Sequence, residues 1–201
     1  MGDKKYLYCA NKGRIDVYCH KLGIKLWTQT SHEAAFVLML DNDPKVKSFS
    51  SQPGKYAYKG KNFQPDFLVE YTDGRFEFIE VHSREDKSEK FKARIALFTE
   101  GFKEKLGAEL TCKYNDEIDF QYIRNIEHLS QYNRMTDTDI DNILRVAWFF
   151  PQNITLGEAE HHLKQQLGLG FSMRVLMWLR LYDFDWYTKI NANTPLTRAT
   201  V

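Results

Sequence analysis

NFQPDFLVEYTDGRFEFIEVH, residues 62–82, is the stretch that decides the fold. Pro65-Asp66 opens an apolar run, Phe67-Leu68-Val69, inside an expected strand from Asn62 to Tyr71. Thr72-Asp73-Gly74-Arg75 is a tight-turn signal, because a short hairpin needs the positive φ that glycine accepts. Phe76 to Val81 then returns as the partner strand, with Glu80 near its end. An antiparallel hairpin lays the start of one strand beside the end of the other, so Asp66 and Glu80 are expected at one end of a sheet. Both sit among apolar neighbours, where an unpaired charge is costly and calls for a cation or a partner. Two carboxylates so placed suit a hard divalent ion that keeps most of its waters and leaves positions for phosphate. Taken singly, Asp66 also reads as a strand-entry residue.

Working outward, Thr30 caps a helix with Glu33 at its third position, the spacing of a capping box. Ala34 to Leu40 is apolar nearly all round, so this helix is expected to be buried, and Asp41-Asn42-Asp43-Pro44 ends it. Glu33 has two readings, as the reciprocal half of the cap and as a third acid for the hairpin pair. Strands are expected at Val46–Ser50 and Lys55–Tyr58. Beyond the hairpin, Phe91, Ile95, Phe98, Phe102 and Leu106 recur at helical steps, giving a long helix from about Glu85 to Leu106 that Gly107 stops. Leu110–Tyr114 and Phe120–Ile123 read as further strands. The order of elements is α-β-β-β-α-β, an α/β core with a mixed sheet flanked by helices.

From Asn125 the pattern turns helical: Ile126–Tyr132, Asp137–Phe150, Thr155–Leu167 and Ser172–Tyr182, then a hairpin-like tail of Trp186–Ile190 and Pro195–Val201. Helices followed by a small hairpin outline a winged-helix module, so the expected domains are 1–125 and 126–201. Arg174 and Arg180 flank Trp178, too few cations for a groove-reading helix, so that helix reads as core. His161 and His162 are adjacent and point to different helix faces, against a metal pair.

A net charge of +1 means that any nucleic-acid contact must come from local basic surface. Residues 1–30 interleave cations and rings (Lys4, Lys5, Tyr6, Arg14, Lys25, Trp27), which suits phosphate contact and base stacking, or equally a packed arm whose rings are core. Cys9, Cys19 and Cys112 are too few and too widely spaced for a disulfide framework or a paired-cysteine zinc site. They read as reduced thiols of a cytoplasmic protein, with no secretory leader and no membrane partner expected.

Acid, hairpin, then acid-x-basic is the PD-(D/E)xK nuclease arrangement, and the surrounding order of elements is that superfamily's core. The runs Ser31-His32-Glu33-Ala34-Ala35-Phe36, Gln52-Pro53, Gln64-Pro65-Asp66-Phe67-Leu68-Val69 and Ile79-Glu80-Val81 resemble the catalytic domain of the TnsA family of transposase endonucleases. The likeness covers about residues 27–125, and the C-terminal stretch from Val175 is similar to the small helical domain that ends that family. The resemblance implies a restriction-endonuclease-like fold and a Mg²⁺-dependent DNA endonuclease, with Mn²⁺ able to substitute, that cleaves 5′ strands at transposon ends. It further implies DNA, a DDE transposase subunit (TnsB-like) and an AAA+ regulator (TnsC-like) as partners, in a prokaryotic, phage or mobile-element setting. Glu33 takes the helix-borne metal-site glutamate, Asp66 the metal-bridging aspartate and Glu80 the first position of the (E/Q)-V-K motif, with the Val81 carbonyl facing the metal. Gln52 falls where it can orient site groups.

One position departs from the family. The motif's lysine is His82 here. A histidine can carry acid–base work near neutral pH. Alternatively, Lys87 or Lys90 of the following helix supplies the missing cation, or the site is a nuclease-fold scaffold that has lost cleavage. A stand-alone nuclease of a mobile element or phage is a further alternative.

Overall fold

The computed structural model describes residues 14–85 and 88–200. The chain divides into two compact units, Met1–Ile118 and Asp119–Val201. Among the described residues, no helix is long and apolar enough to cross a membrane.

The first unit runs β1 (Ile15–Cys19), β2 (Ile24–Thr28), α1 (Ser31–Asn42), β3 (Val46–Ser51), β4 (Tyr56–Tyr58), β5 (Lys61–Phe63), β6 (Phe67–Tyr71), β7 (Phe76–His82), α2 (Glu89–Leu106) and β8 (Glu109–Tyr114). Its main sheet has the order β3-β6-β7-β8. β3, β6 and β7 are antiparallel neighbours, while β7 and β8 are parallel. Parallel neighbours need a long crossover, and α2 is that crossover. The result is a mixed sheet flanked by helices.

α2 lies over one face of this sheet through a ring cluster. Phe78 of β7 stacks on Phe102 with centroids 4.2 Å apart, and Tyr56 meets both rings edge-on. Phe63, Phe98 and Leu110 complete the cluster. Phe67 pairs with Ile79 across the hairpin, and both are buried on the other face. β4 and β5 form their own small hairpin, whose two turn residues Lys59 and Gly60 both have positive φ, as that turn requires.

Two expectations for this unit are corrected, and one at the start of the next. The strand read from Asn62 to Tyr71 is two strands, because Pro65 cannot donate to a ladder and the chain breaks over Gln64-Pro65-Asp66. The long helix begins at Glu89, where Ser88 caps it by accepting from the Phe91 N–H, and not near Glu85. Phe120–Ile123 is not a strand but the first turn of a helix, because Asp119 accepts from the N–H groups of Gln121 and Tyr122. That cap outweighs the β preference of the aromatic and branched residues.

Asp41 fastens the β1–β2 turn to the end of α1. Its carboxylate accepts from the backbone N–H groups of His20 (2.9 Å) and Lys21 (2.7 Å) and from the Cys19 thiol (3.1 Å). Lys21 reciprocates by donating to the carbonyls of Leu40 and Asp43. Burial and Asp41 push the Cys19 thiol up to about 12, so it stays protonated. Asp41→Ala strands two backbone donors, and a loss of about 2–3 kcal/mol is expected. Thermal melts should show a fall of several degrees; an unchanged Tm would mean that water replaces the carboxylate.

The second unit runs α3 (Phe120–Ser130), α4 (Asp137–Ala147), β9 (Asn153–Thr155), α5 (Leu156–Leu167), α6 (Arg174–Trp178), β10 (Tyr182–Asp183) and β11 (Pro195–Arg198). Its sheet has the order β10-β11-β9, all antiparallel. Thr155 and Glu158 form the expected capping box, and Leu156, Leu163, Leu176 and Leu196 fill the core. Trp186–Ile190 is not the strand that was read from sequence. The buried Asn125 side chain donates to the carbonyls of Trp186 and Thr188, which removes them from any ladder. β11 pairs with β10 and β9 in its place.

Candidate active site

The β6–β7 register sets Phe67 against Ile79, which places Asp66, one residue earlier, across from Glu80. The Val81 N–H donates to Asp66 Oδ2 at 2.7 Å and fixes that carboxylate at the strand end. Val81, expected to turn its carbonyl to the site, thus meets Asp66 through its N–H. On the other side the N–H of Gln52, the residue after β3, donates to the Asp66 carbonyl at 2.7 Å, so Asp66 is held from both sides.

Glu80 is buried, and among the described residues its Oε2 has no hydrogen-bond partner. Oε1 meets Nη2 of Arg94 at 3.4 Å, a long contact to a side chain that is 46% exposed. Burial first, then the charge of Asp66, push Glu80 up to about 8, and the guanidinium does not offset them. Asp66 is pushed up to about 6, mainly by burial and in smaller part by Glu33, against the Val81 N–H, His82 and Arg94, which favour the charged form. The pair therefore titrates in the neutral range, with protons that a cation can displace.

Glu33 is close enough to raise both neighbours, but its own oxygens are engaged. Oε2 accepts from the Gln29 N–H at 2.9 Å, and Oε1 accepts from the Thr30 hydroxyl at 3.0 Å. The capping bonds hold Glu33 at the head of α1, beside the pair. Among the described residues, no three His, Cys, Asp or Glu side chains gather closely enough to hold a metal ion together. Compared with models of known protein families and with curated proteins, the chain finds no match.

His82 shares a strand face with Glu80 and lies flat on Phe91 of α2, with ring centroids 3.8 Å apart and planes 10° from parallel. Lys90 is exposed on the first turn of α2, and Lys87 lies outside the described residues. The cation that α2 brings to Glu80 is neither lysine but Arg94, which also stands over the rings of Phe63 and Phe91. Sequence reading passed over Arg94, although it had a signal there. It falls three residues after Phe91 and four before Phe98, a charge on the apolar stripe.

Gln52 adopts a left-handed backbone, φ 49°, which costs a residue other than glycine about 1 kcal/mol. Its side-chain oxygen accepts from Gln29 (3.4 Å) and Gln64 (3.3 Å), so three amides gather beside the acids. No spacing in the sequence announces that cluster. Cys112 lies opposite Glu80 in the β7–β8 register, and burial together with Glu80 pushes its thiol up to about 11. At neutral pH it is a thiol and not a thiolate ligand.

An orphaned, buried carboxylate oxygen beside a second carboxylate suits a divalent ion held by one or two protein oxygens and water, as magnesium prefers. It does not suit a closed cage of protein ligands.

Proposed function

We propose that the chain is a Mg²⁺-dependent DNA endonuclease of the PD-(D/E)xK type. Asp66 and Glu80 would hold the ion, Arg94 stands in place of the motif lysine, and His82 does acid–base work. The reading rests on one observation: Glu80 carries a buried oxygen without a partner among the described residues, across a hairpin from a second carboxylate whose affinity for protons is also raised. An ion bound there supplies Lewis-acid polarisation of a phosphate and a more acidic water. The protein's own groups do the rest. Asp66 and Glu80 release their protons to make room for the cation. Arg94 offsets charge on the phosphate, and its position over two rings fixes its approach. His82, laid against Phe91, receives a proton near the attacking water. Glu33 holds the head of α1 beside them.

The second unit supports the same reading. Its order, α4-β9-α5-α6-β10-β11 with the first strand paired to the last, is compatible with the winged-helix module that we propose for it. Together with the likeness to the TnsA family this points to 5′-strand cleavage at transposon ends in a prokaryotic cytoplasm, alongside a DDE transposase and an AAA+ regulator. The rival reading is a nuclease-fold scaffold that binds partners and no longer cuts. It draws on the capping bonds of Glu33, which leave two acids where the family uses three.

The deciding experiment is nicking of supercoiled plasmid by the purified chain in Mg²⁺ or Mn²⁺, with and without candidate partner proteins, beside calorimetric titration with Mn²⁺. Metal-dependent nicks support the nuclease. Metal binding without nicks under any condition supports the scaffold, and absence of both removes the metal site. Arg94→Met is expected to lower nicking about a hundredfold, the scale of losing one donor to transition-state charge. Mn²⁺ affinity should hold, and Arg94→Lys should recover part of the rate. Equal rates for Arg94→Met and the parent would return the cation role to Lys87 or Lys90.

A further inference from the structure

The β1–β2 hairpin turns two rings outward where a packed arm would bury them. Tyr18 is 48% exposed and Trp27 41%, while Cys19 and Thr28 on the opposite face are fully buried. Asp16 pairs with Trp27 and Tyr18 with Lys25, so these four side chains share one face. Tyr18 and Trp27 are diagonal neighbours on it, about 7–8 Å apart at the backbone, close to the span of two stacked nucleotides. Asp16, the one acid of the four, is held by Arg14 at 2.8 Å, and Lys25 is exposed. The face runs into the candidate active site. The Ser51 hydroxyl donates to the Trp27 carbonyl at 3.0 Å, and the next residue, Gln52, donates its N–H to the Asp66 carbonyl. Two residues past Trp27, Gln29 gives its amide to Gln52 Oε1, which also takes Gln64. Among the described residues, the Gln52 Nε2 group and the side-chain oxygens of Gln29 and Gln64 meet no partner.

We propose that this face holds an unpaired stretch of the DNA substrate, with Tyr18 and Trp27 stacking on its bases and the three amides meeting the nucleotide nearest the acid pair. The proposal rests on the nuclease reading for what stands at the end of that path, and it narrows the substrate to DNA with a single-stranded segment beside the scissile phosphate. Exposed rings can stack only on a base whose own face is uncovered, and paired DNA keeps those faces inside the duplex. Unspent amide donors and acceptors at the junction suit base edges, which carry both. Under an apolar partner they would be stranded. A second copy laid on the same face would desolvate Lys25 and the Arg14–Asp16 pair, with only two rings to compensate. Neither disadvantage touches a strand of DNA, whose phosphates meet the cations while its bases meet the rings.

The test is fluorescence anisotropy of the full chain in EDTA with labelled oligothymidylate and with a labelled hairpin duplex. The single strand should bind more tightly than the duplex. Trp27→Ala should weaken single-strand binding about tenfold or more and Tyr18→Ala somewhat less, with Trp27→Phe recovering most of the loss. An oligonucleotide carrying 5-iododeoxyuridine should crosslink under near-ultraviolet light to Tyr18 or Trp27 of the unaltered chain, a result that does not depend on how the alanine variants fold. Equal affinity of Trp27→Ala and the parent overturns the proposal, as do absence of single-strand binding and crosslinks confined to the second unit. So does a dimer in sedimentation that Trp27→Ala disperses. Binding through Trp27 without nicking in Mg²⁺ or Mn²⁺ would uphold the face and sink the nuclease reading. Nicking by Trp27→Ala with the parent's rate and affinity would do the opposite.

Discussion

Asp66→Ala is expected to lower metal-dependent nicking about a thousandfold or more, the scale of losing several kcal/mol of charge stabilisation at the phosphate. Asp66 is singled out because it is held from both sides. β7 donates a backbone N–H to its carboxylate, and the Gln52 N–H takes its carbonyl. The alanine keeps the second bond, so the strand entry should stay in place while the oxygen donors disappear. Calorimetry should show Mn²⁺ binding lost in parallel with cleavage, and circular dichroism should show the fold retained. A variant that binds Mn²⁺ as tightly as the parent would detach the metal from this hairpin altogether. His82→Lys is the informative companion. It restores the lysine of the resembled motif, and a gain in rate would identify the histidine as the weaker substitute.

Glu80→Gln is expected to do the reverse to stability. The folded chain holds a proton on Glu80 up to about 8, against an ordinary 4.5, with burial as the leading cause. Between those values the unfolded chain has lost the proton and the folded chain has kept it. The stability linked to this group is complete at acidic pH and is lost as pH rises through that window. Asp66, pushed up to about 6, adds the same trend over the lower part of the range. Glutamine keeps the shape and removes the charge. The variant should therefore melt close to the parent near about pH 5 and above it near about pH 8, by about 2–4 kcal/mol. The figure is smaller than the full shift implies because the Arg94 contact goes with the charge. Mg²⁺ should raise the Tm of the parent increasingly as pH rises, since binding displaces those protons, and should leave the variant nearly unmoved. A variant less stable than the parent near about pH 8 would show that Arg94 outweighs burial at this position.

What was legible from sequence was whatever the chain decides locally. The 62–82 hairpin follows from Asp73-Gly74 and from alternation on either side of it, and once the turn is fixed so is the approach of Asp66 to Glu80. The cap of α1 is equally local. Thr30 and Glu33 are three residues apart, and that same closeness left the role of Glu33 open, because a capping carboxylate and a site carboxylate share one spacing. Illegible features depend on distant partners. Trp186–Ile190 has the composition of a strand, yet Asn125, some sixty residues earlier, takes its carbonyls. Arg94 reaches Glu80 only once α2 has crossed the sheet, so nothing local in the sequence joins the two.

The crossover has a consequence for the order in which the site assembles. A hairpin such as β6–β7 closes in microseconds, whereas the parallel strand β8 can join only after the intervening 18-residue helix has formed and docked. The two acids are therefore brought face to face in the earliest part of the sheet, while their counter-charge is still travelling with the helix. During that interval their repulsion acts on an unfinished sheet, and at alkaline pH, with both ionised, it should slow maturation. Were the hairpin to take up Mg²⁺ as proposed, the ion would relieve that repulsion before Arg94 arrives, and refolding should then be faster with Mg²⁺ than without it.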